Sequence, residues 1–165
     1  MTPTPFRTLV GLVAAALTAT ALYAQEAVKT PVALTAVDSW RADPTVVFDA
    51  TDVNLEDFLW VARPIVVFAD TPNDPRFQRQ VELLVSRMED LVERDVVVLT
   101  DTDPEAFSQL REQLRPRGFM LVIVGKDGGV KLRKPAPWDV REISRSIDKM
   151  PLREQEIIDR RNANQ

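Results

Sequence analysis

The sequence predicts an α/β fold in which a central mixed sheet of parallel strands and a C-terminal antiparallel hairpin is flanked by helices. Two observations predict it. Short apolar runs alternate with segments whose apolar residues recur every three or four positions, which is typical of a parallel sheet covered by helices. The last two runs are separated only by the turn residues "KDGG" at 126–129, a spacing typical of a hairpin.

The strands are predicted from runs rich in β-branched and aromatic residues. The run at 64–69 is continuously apolar, which indicates a strand buried on both faces, and 95–100 is predicted as another buried strand. The predicted strands are 45–50, 64–69, 95–100, 118–125 and 130–134.

The helices are predicted from apolar stripes and from their start signals. The clearest is 74–95, where Asp74 is a favoured N-cap and Pro75 a favoured first residue. At 102–105, "TDPE" predicts a capping box, and Phe107 is expected to face inward from the helix that follows. Further helices are predicted at 53–60 and at 135–150.

The N-terminus has the layout of a secretory signal. Arg7 precedes an apolar, alanine-rich stretch at 8–22, and small residues offer cleavage after Ala24 or after Ala21. The apolar stretch is short for a membrane span, although an uncleaved anchor is the alternative. We therefore predict a periplasmic protein without a membrane span after cleavage.

Four segments follow from these patterns. Residues 1–24 are predicted as a signal peptide and 25–43 as an N-terminal arm, with Trp40 docking on the domain. Residues 44–151 form the predicted domain, and the charged tail 152–165 is expected to add a turn or two of helix before fraying.

Composition excludes several chemistries. The 165 residues include no cysteine and no histidine, so neither a thiolate nucleophile nor a Ser-His-Asp triad exists. The usual zinc and copper ligands are missing too, and we predict neither a metal nor a cofactor. A net charge of −4 without a basic stripe argues against nucleic acid or an anionic membrane as the main partner.

The loop "ADTPNDPRF" at 69–77 joins a predicted strand to a predicted helix. Capping explains most of its residues, but the carboxyl ends of parallel strands are also where open α/β sheets bind ligands. A binding site is therefore predicted there, with no catalytic residue assigned. Its candidate residues are Asp70, Thr71, Asn73, Asp101, Arg117 and Gly118.

A second candidate is the basic hairpin formed by Lys126, Lys131, Arg133 and Lys134. Such charges commonly block strand addition at a sheet edge, and they also suit an acidic partner. The three tryptophans, Trp40, Trp60 and Trp138, are predicted to be packing residues.

The order of elements over about 45–150 resembles the thioredoxin fold, whose redox motif lies where "ADTPNDP" lies here. More specifically, the chain resembles the thioredoxin-like family DUF4174, as a member without cysteine. The segments that carry this resemblance are "FLWVARPIVVFADTPNDPRFQRQVELL" (58–84), "ERDVVVL" (93–99), "VIVGKDGGVKLR" (122–133) and "IDKMPLR" (147–153). The resemblance implies the fold and export.

We therefore expect a periplasmic thioredoxin-fold protein without thiol redox activity that acts as a binding or adaptor module for a protein or peptide of the cell envelope. The alternative is a cysteine-independent enzyme that uses carboxylates at the strand ends. An open cleft holding Asp70 and Asp101 would favour the enzyme, whereas a flat or filled surface would favour the binding module.

Overall fold

A computed structural model describes residues 35–165, so the predicted signal peptide lies outside the described residues. Its centre is a five-stranded sheet in the order β1-β3-β2-β4-β5. β1, β3 and β2 are parallel, whereas β4 runs antiparallel to β2 and β5 antiparallel to β4. The predicted mixed sheet is confirmed. The strands are β1 (Val47–Asp49), β2 (Arg63–Phe68), β3 (Val96–Asp101), β4 (Met120–Val124) and β5 (Val130–Lys134).

Six α-helices surround the sheet, and none of the described helices is long and apolar enough to cross a membrane. Side chains alternate along β2: Val66 and Phe68 join one core layer, and Ile65 and Val67 join the other. The first layer is covered by α1 and α4, the second by α2, α3 and α5. The helices are α1 (Ala36–Ala42), α2 (Pro75–Val85), α3 (Met88–Val92), α4 (Gln109–Leu114), α5 (Val140–Asp148) and α6 (Pro151–Ala163).

The described part of the predicted N-terminal arm is ordered as α1, which the sequence pattern did not predict. Thr35 caps this helix by accepting a hydrogen bond from the Asp38 amide. The predicted docking of Trp40 is confirmed, because its ring is buried and its Nε1 donates to the Val96 carbonyl at 3.1 Å.

The helix predicted at 74–95 is two helices. Its start is confirmed: Pro75 is the first residue, and Asp74 accepts a hydrogen bond from the Arg76 amide at 2.8 Å. The break follows α2, where the Ser86 hydroxyl donates to the Leu83 carbonyl and Arg87 leaves the helical region. A serine bonded to its own helix in this way commonly bends it.

The capping box predicted at 102–105 is wrong. Asp103 caps a single 3₁₀ turn at Pro104–Ala106, and α4 begins later, capped by Ser108. Between them Phe107 takes a left-handed conformation, with φ of 47°, and 75% of it is exposed instead of facing inward. The segment predicted as a helix at 53–60 is likewise a short 3₁₀ turn, Leu55–Phe58, capped by Asn54.

The end of the chain is more ordered than its composition predicts. The helix predicted at 135–150 is shorter, beginning at Val140 after the Asp139 cap. Pro151, which directly follows the predicted helix, begins α6, where a proline fits at the first position. α6 extends to Ala163 and buries Arg153, so the segment 152–165 forms a helix longer than the predicted turn or two.

Candidate binding site

The loop after β2 places most of the predicted site on the surface. Asp70, Thr71 and Asn73 are exposed, as is Arg117 on the facing loop. Gly118 has a φ of 58°, and a Cβ built on it would lie 3.7 Å from Oδ2 of Asp70. The structure therefore brings Asp70 and Gly118 together at the carboxyl end of β2, as the sequence predicts.

Asp101 does not join that surface. Its side chain is fully buried, and its carboxylate accepts hydrogen bonds from the Ser108 hydroxyl at 2.5 Å and the Asp103 amide at 3.2 Å. Arg111 completes the set, with its Nε 2.7 Å from Oδ1 of Asp101. Asp101 thus holds the loop after β3 and the start of α4 against the sheet.

Arg111 fills the space between the two predicted carboxylates. Its Nη2 donates to the Ala69 carbonyl at 2.6 Å, and its Nη1 lies 4.0 Å from Oδ1 of Asp70. The guanidinium also lies over the Phe68 ring, 5.5 Å from the ring centre. In the described part of the chain, Arg111 therefore leaves no open cleft between Asp70 and Asp101.

The basic side chains of the predicted hairpin do not form one patch but lie in different places. Lys126 is mostly buried, and its Nζ lies 2.9 Å from both Asp95 and Glu156, while Lys131 donates to Asp127 at 2.6 Å. Arg133 lies elsewhere and donates to the Leu114 carbonyl at the end of α4. Lys134, the fourth residue of this group, stacks on Trp138 at 4.5 Å from the ring centre.

Lys126 and Lys131 instead line a pocket of about 310 Å³, which we call the Trp60 pocket. It lies where β2 begins, where the hairpin turns and where α6 starts. Its walls combine apolar side chains with three cations. The lining residues are Trp60, Arg63, Gly125, Lys126, Asp127, Lys131, Met150, Pro151 and Leu152.

Trp60 is the exposed wall of this pocket. Its side chain was predicted to pack inside, but 69% of the residue is exposed. Its φ is 62°, a conformation that costs energy for a bulky residue, and its amide donates to the Lys126 carbonyl at 2.8 Å. The hairpin turn thus holds Trp60 in a strained conformation that directs an aromatic ring to solvent.

A buried ion-pair network forms the floor of the Trp60 pocket. Arg63 is only 1% exposed, donates to the Arg94 carbonyl at 2.9 Å and pairs with Glu156 of α6 at 2.9 Å. Partial burial would by itself raise the pKa of Glu156, but hydrogen bonds from Arg63 and Lys126 outweigh it and lower that pKa. This network fixes α6 against the start of β2.

Comparison with known proteins establishes the family. Residues 54–156 match the family model described as a domain of unknown function, DUF4174. The chain belongs to the DUF4174 family. No curated protein matches it.

The fold of this DUF4174 chain is thioredoxin-like. A reduced 2-Cys peroxiredoxin of Plasmodium vivax aligns with a TM-score of 0.52 and 15% identity, over 62% of this chain and 85% of that chain. The reduced desulfothioredoxin of Desulfovibrio vulgaris Hildenborough aligns with a TM-score of 0.48 and 20% identity, over 64% and 98%. Chloroplastic thioredoxin z gives a TM-score of 0.48 and 22% identity, over 63% and 96%.

Sequence reasoning missed Trp60, Arg63 and the start of α6. One signal for the site was present: Arg63 interrupts the apolar segment "WVARPIVVFA", and a charge inside a buried strand needs a partner. That partner, Glu156, lies 93 residues away.

Proposed function

We propose that this DUF4174 protein is a binding module of the periplasm that holds a protein or peptide partner at the Trp60 pocket and performs no thiol chemistry. The observation that carries the proposal is the exposed, strained Trp60 beside a concave surface. Tryptophan dominates the energetics of many protein interfaces, and strained residues cluster at functional sites. Covering a solvent-facing tryptophan removes apolar surface from water, which favours binding of a partner there.

The non-redox part of the proposal rests on composition. The sequence contains no cysteine, so no thiolate is available at the end of β2 or at any other position. The alternative, an enzyme working through Asp70 and Asp101, is disfavoured because Arg111 occupies the space between them. The exposed carboxyl-end loop, with Thr71, Asn73 and the outward Phe107, is a second candidate contact surface.

Export is supported by the N-terminal sequence pattern. If the segment directs the chain across the inner membrane, the exported protein is expected to begin at Gln25, or at Leu22 when cleavage follows Ala21. N-terminal sequencing of the protein recovered from the periplasm checks this. A membrane-bound form that retains Met1 would contradict it.

Variant-dependent capture tests the binding site. The purified mature protein is used to recover partners from periplasmic extract of its own host, in parallel with Trp60→Ala and with the double variant Thr71→Lys/Asn73→Lys. We expect Trp60→Ala to lose the specific partner, because it removes the exposed aromatic wall, and the double variant to retain it. Circular dichroism confirms that each variant is folded.

The matched variants lie at opposite ends of the sheet, so the result is decisive. Loss of the partner only in the double variant would move the binding site to the carboxyl-end loop. Recovery at the wild-type yield by Trp60→Ala would refute the Trp60 pocket as the site.

A further inference from the structure

We infer that the Trp60 pocket binds the carboxyl-terminal residue of its partner, with an apolar side chain against Trp60 and Leu152 and the free α-carboxylate against the cations of the pocket. This inference rests on the proposed function and specifies its ligand. Four features support it: the charge of the lining residues, the uncapped start of α6, the spare donors of buried arginine and the small size of the pocket.

The lining residues carry more positive than negative charge. Arg63, Lys126 and Lys131 are cations, whereas Asp127 is the one carboxylate that lines the pocket, in a chain whose net charge is −4. An ammonium has three donors, and the bonds of Lys126 to Asp95 and Glu156 use two of them. The third is available to an anion, and burial strengthens such a bond.

The start of α6 adds a second source of positive potential. This helix is 13 residues long, and Met150 at its N-cap makes no side-chain hydrogen bond to the first turn. Asp139, by contrast, caps α5 by accepting from the Arg141 amide. Met150, Pro151 and Leu152 line the pocket, so the uncapped helix end lies at its wall, where a carboxylate is favoured.

Buried arginines beside the pocket have spare donors. Arg63 lines the pocket and is 1% exposed, and two of its N–H groups donate, to Arg94 and to Glu156. A guanidinium carries five such donors. Arg153, the third residue of α6, is also buried; its Nε makes no hydrogen bond and lies 3.5 Å from Oδ1 of Asp148. Of these two arginines Arg63 lines the pocket, so an anion bound there can accept from its remaining donors.

Size and polarity select the terminal residue of a chain. Ligand pockets commonly span roughly 300–1,000 Å³, so about 310 Å³ admits one side chain with its carboxylate but not a long acyl tail. Trp60, Met150, Pro151 and Leu152 provide apolar walls for that side chain. Capture of a C-terminal carboxylate by backbone amides is a known mode of peptide recognition.

Two matched peptide pools test the inference. N-acetylated hexapeptides with randomised upstream positions end in leucine or phenylalanine, either as the free acid or as the amide. Binding is followed by tryptophan fluorescence, since Trp60 is exposed whereas Trp40 is buried, and by calorimetry. We expect the acid pool to bind at least tenfold more tightly than the amide pool and to shift the emission to shorter wavelength. Trp60→Ala should lose that shift.

Two lysines of β5 provide the matched control. Lys131→Gln removes a cation of the pocket and is expected to reduce the preference for the acid, which Lys131→Arg should retain. Lys134→Gln removes a cation that stacks on Trp138 outside the pocket, and it should leave the preference unchanged. Added salt should weaken binding of the acid pool more than binding of the amide pool.

The outcomes separate this inference from the proposed function. Equal affinity for acid and amide overturns the carboxylate inference, as does failure of both pools to bind while partner capture still depends on Trp60. Partner capture that is independent of Trp60 overturns the proposed function itself. Acid-selective binding that requires Lys131 but not Lys134 supports both.

Discussion

Replacing Glu156 with alanine is expected to destabilise the protein by about 3–5 kcal/mol, the usual cost of removing one partner from a buried ion pair. Arg63 is 1% exposed and would lose its partner carboxylate. Lys126 and Arg153 would each lose one of their two partner carboxylates. Urea denaturation followed by circular dichroism measures the free energy of unfolding.

Glu154→Ala is the matched control, because Glu154 lies on the same helix, is exposed and makes no ion pair among the described residues. Its effect should be close to zero. A similarly small loss of stability in both variants would mean that the folded state does not need Glu156 to compensate the buried cations.

The same carboxylate should make stability depend on pH. The hydrogen bonds from Arg63 and Lys126 outweigh desolvation and hold the pKa of Glu156 below its ordinary 4.5. Because the folded-state pKa is depressed, Glu156 contributes stability above pH 4.5, and that contribution is lost as the pH falls through the folded-state pKa. The gap in stability between wild type and Glu156→Gln should therefore narrow in acid.

The second large effect is expected at Asp101. Asp101→Ala would leave Arg111 without its buried partner and Ser108 without its acceptor, at a cost of about 3–5 kcal/mol. Denaturation again provides the measurement. Asp103→Ala is the control, since Asp103 is exposed and caps only a 3₁₀ turn, and its loss should be smaller.

A double variant tests whether the loss at Asp101 comes from the unpaired arginine. Asp101→Ala/Arg111→Leu removes both charges, so it should lose less stability than the two single changes added together. Strictly additive losses would show that Asp101 and Arg111 act independently.

The sequence was sufficient to predict the strands and the sheet, because burial on both faces leaves a continuous apolar run that is visible locally, as in 64–69. The outward Phe107 could not be predicted from its neighbours. Its left-handed backbone lies between Asp101 and Ser108, whose buried hydrogen bond is a tertiary contact and overrides the helical stripe.

The candidate site, too, could be predicted from the sequence only in part. Lys126 and Lys131 could be singled out from the local sequence alone, since they flank a glycine turn. Their meeting with Trp60 and with the start of α6 depends on where the final helix docks, and the charged tail contains no strong apolar stripe that would reveal it. An ion pair anchors the tail, and an ion pair does not produce a periodic pattern in the sequence.

The pairing of Arg63 with Glu156 also constrains when the chain can fold during its synthesis. The two residues are 93 positions apart, so during synthesis Arg63 emerges long before its partner does. Until then, closing the central strand into a dry interior would bury an uncompensated cation, which is strongly unfavourable. The buried Arg63 therefore disfavours closure of the sheet before the last helix has been made. If the chain is exported, as we propose, and crosses the membrane before it folds, that delay favours its translocation.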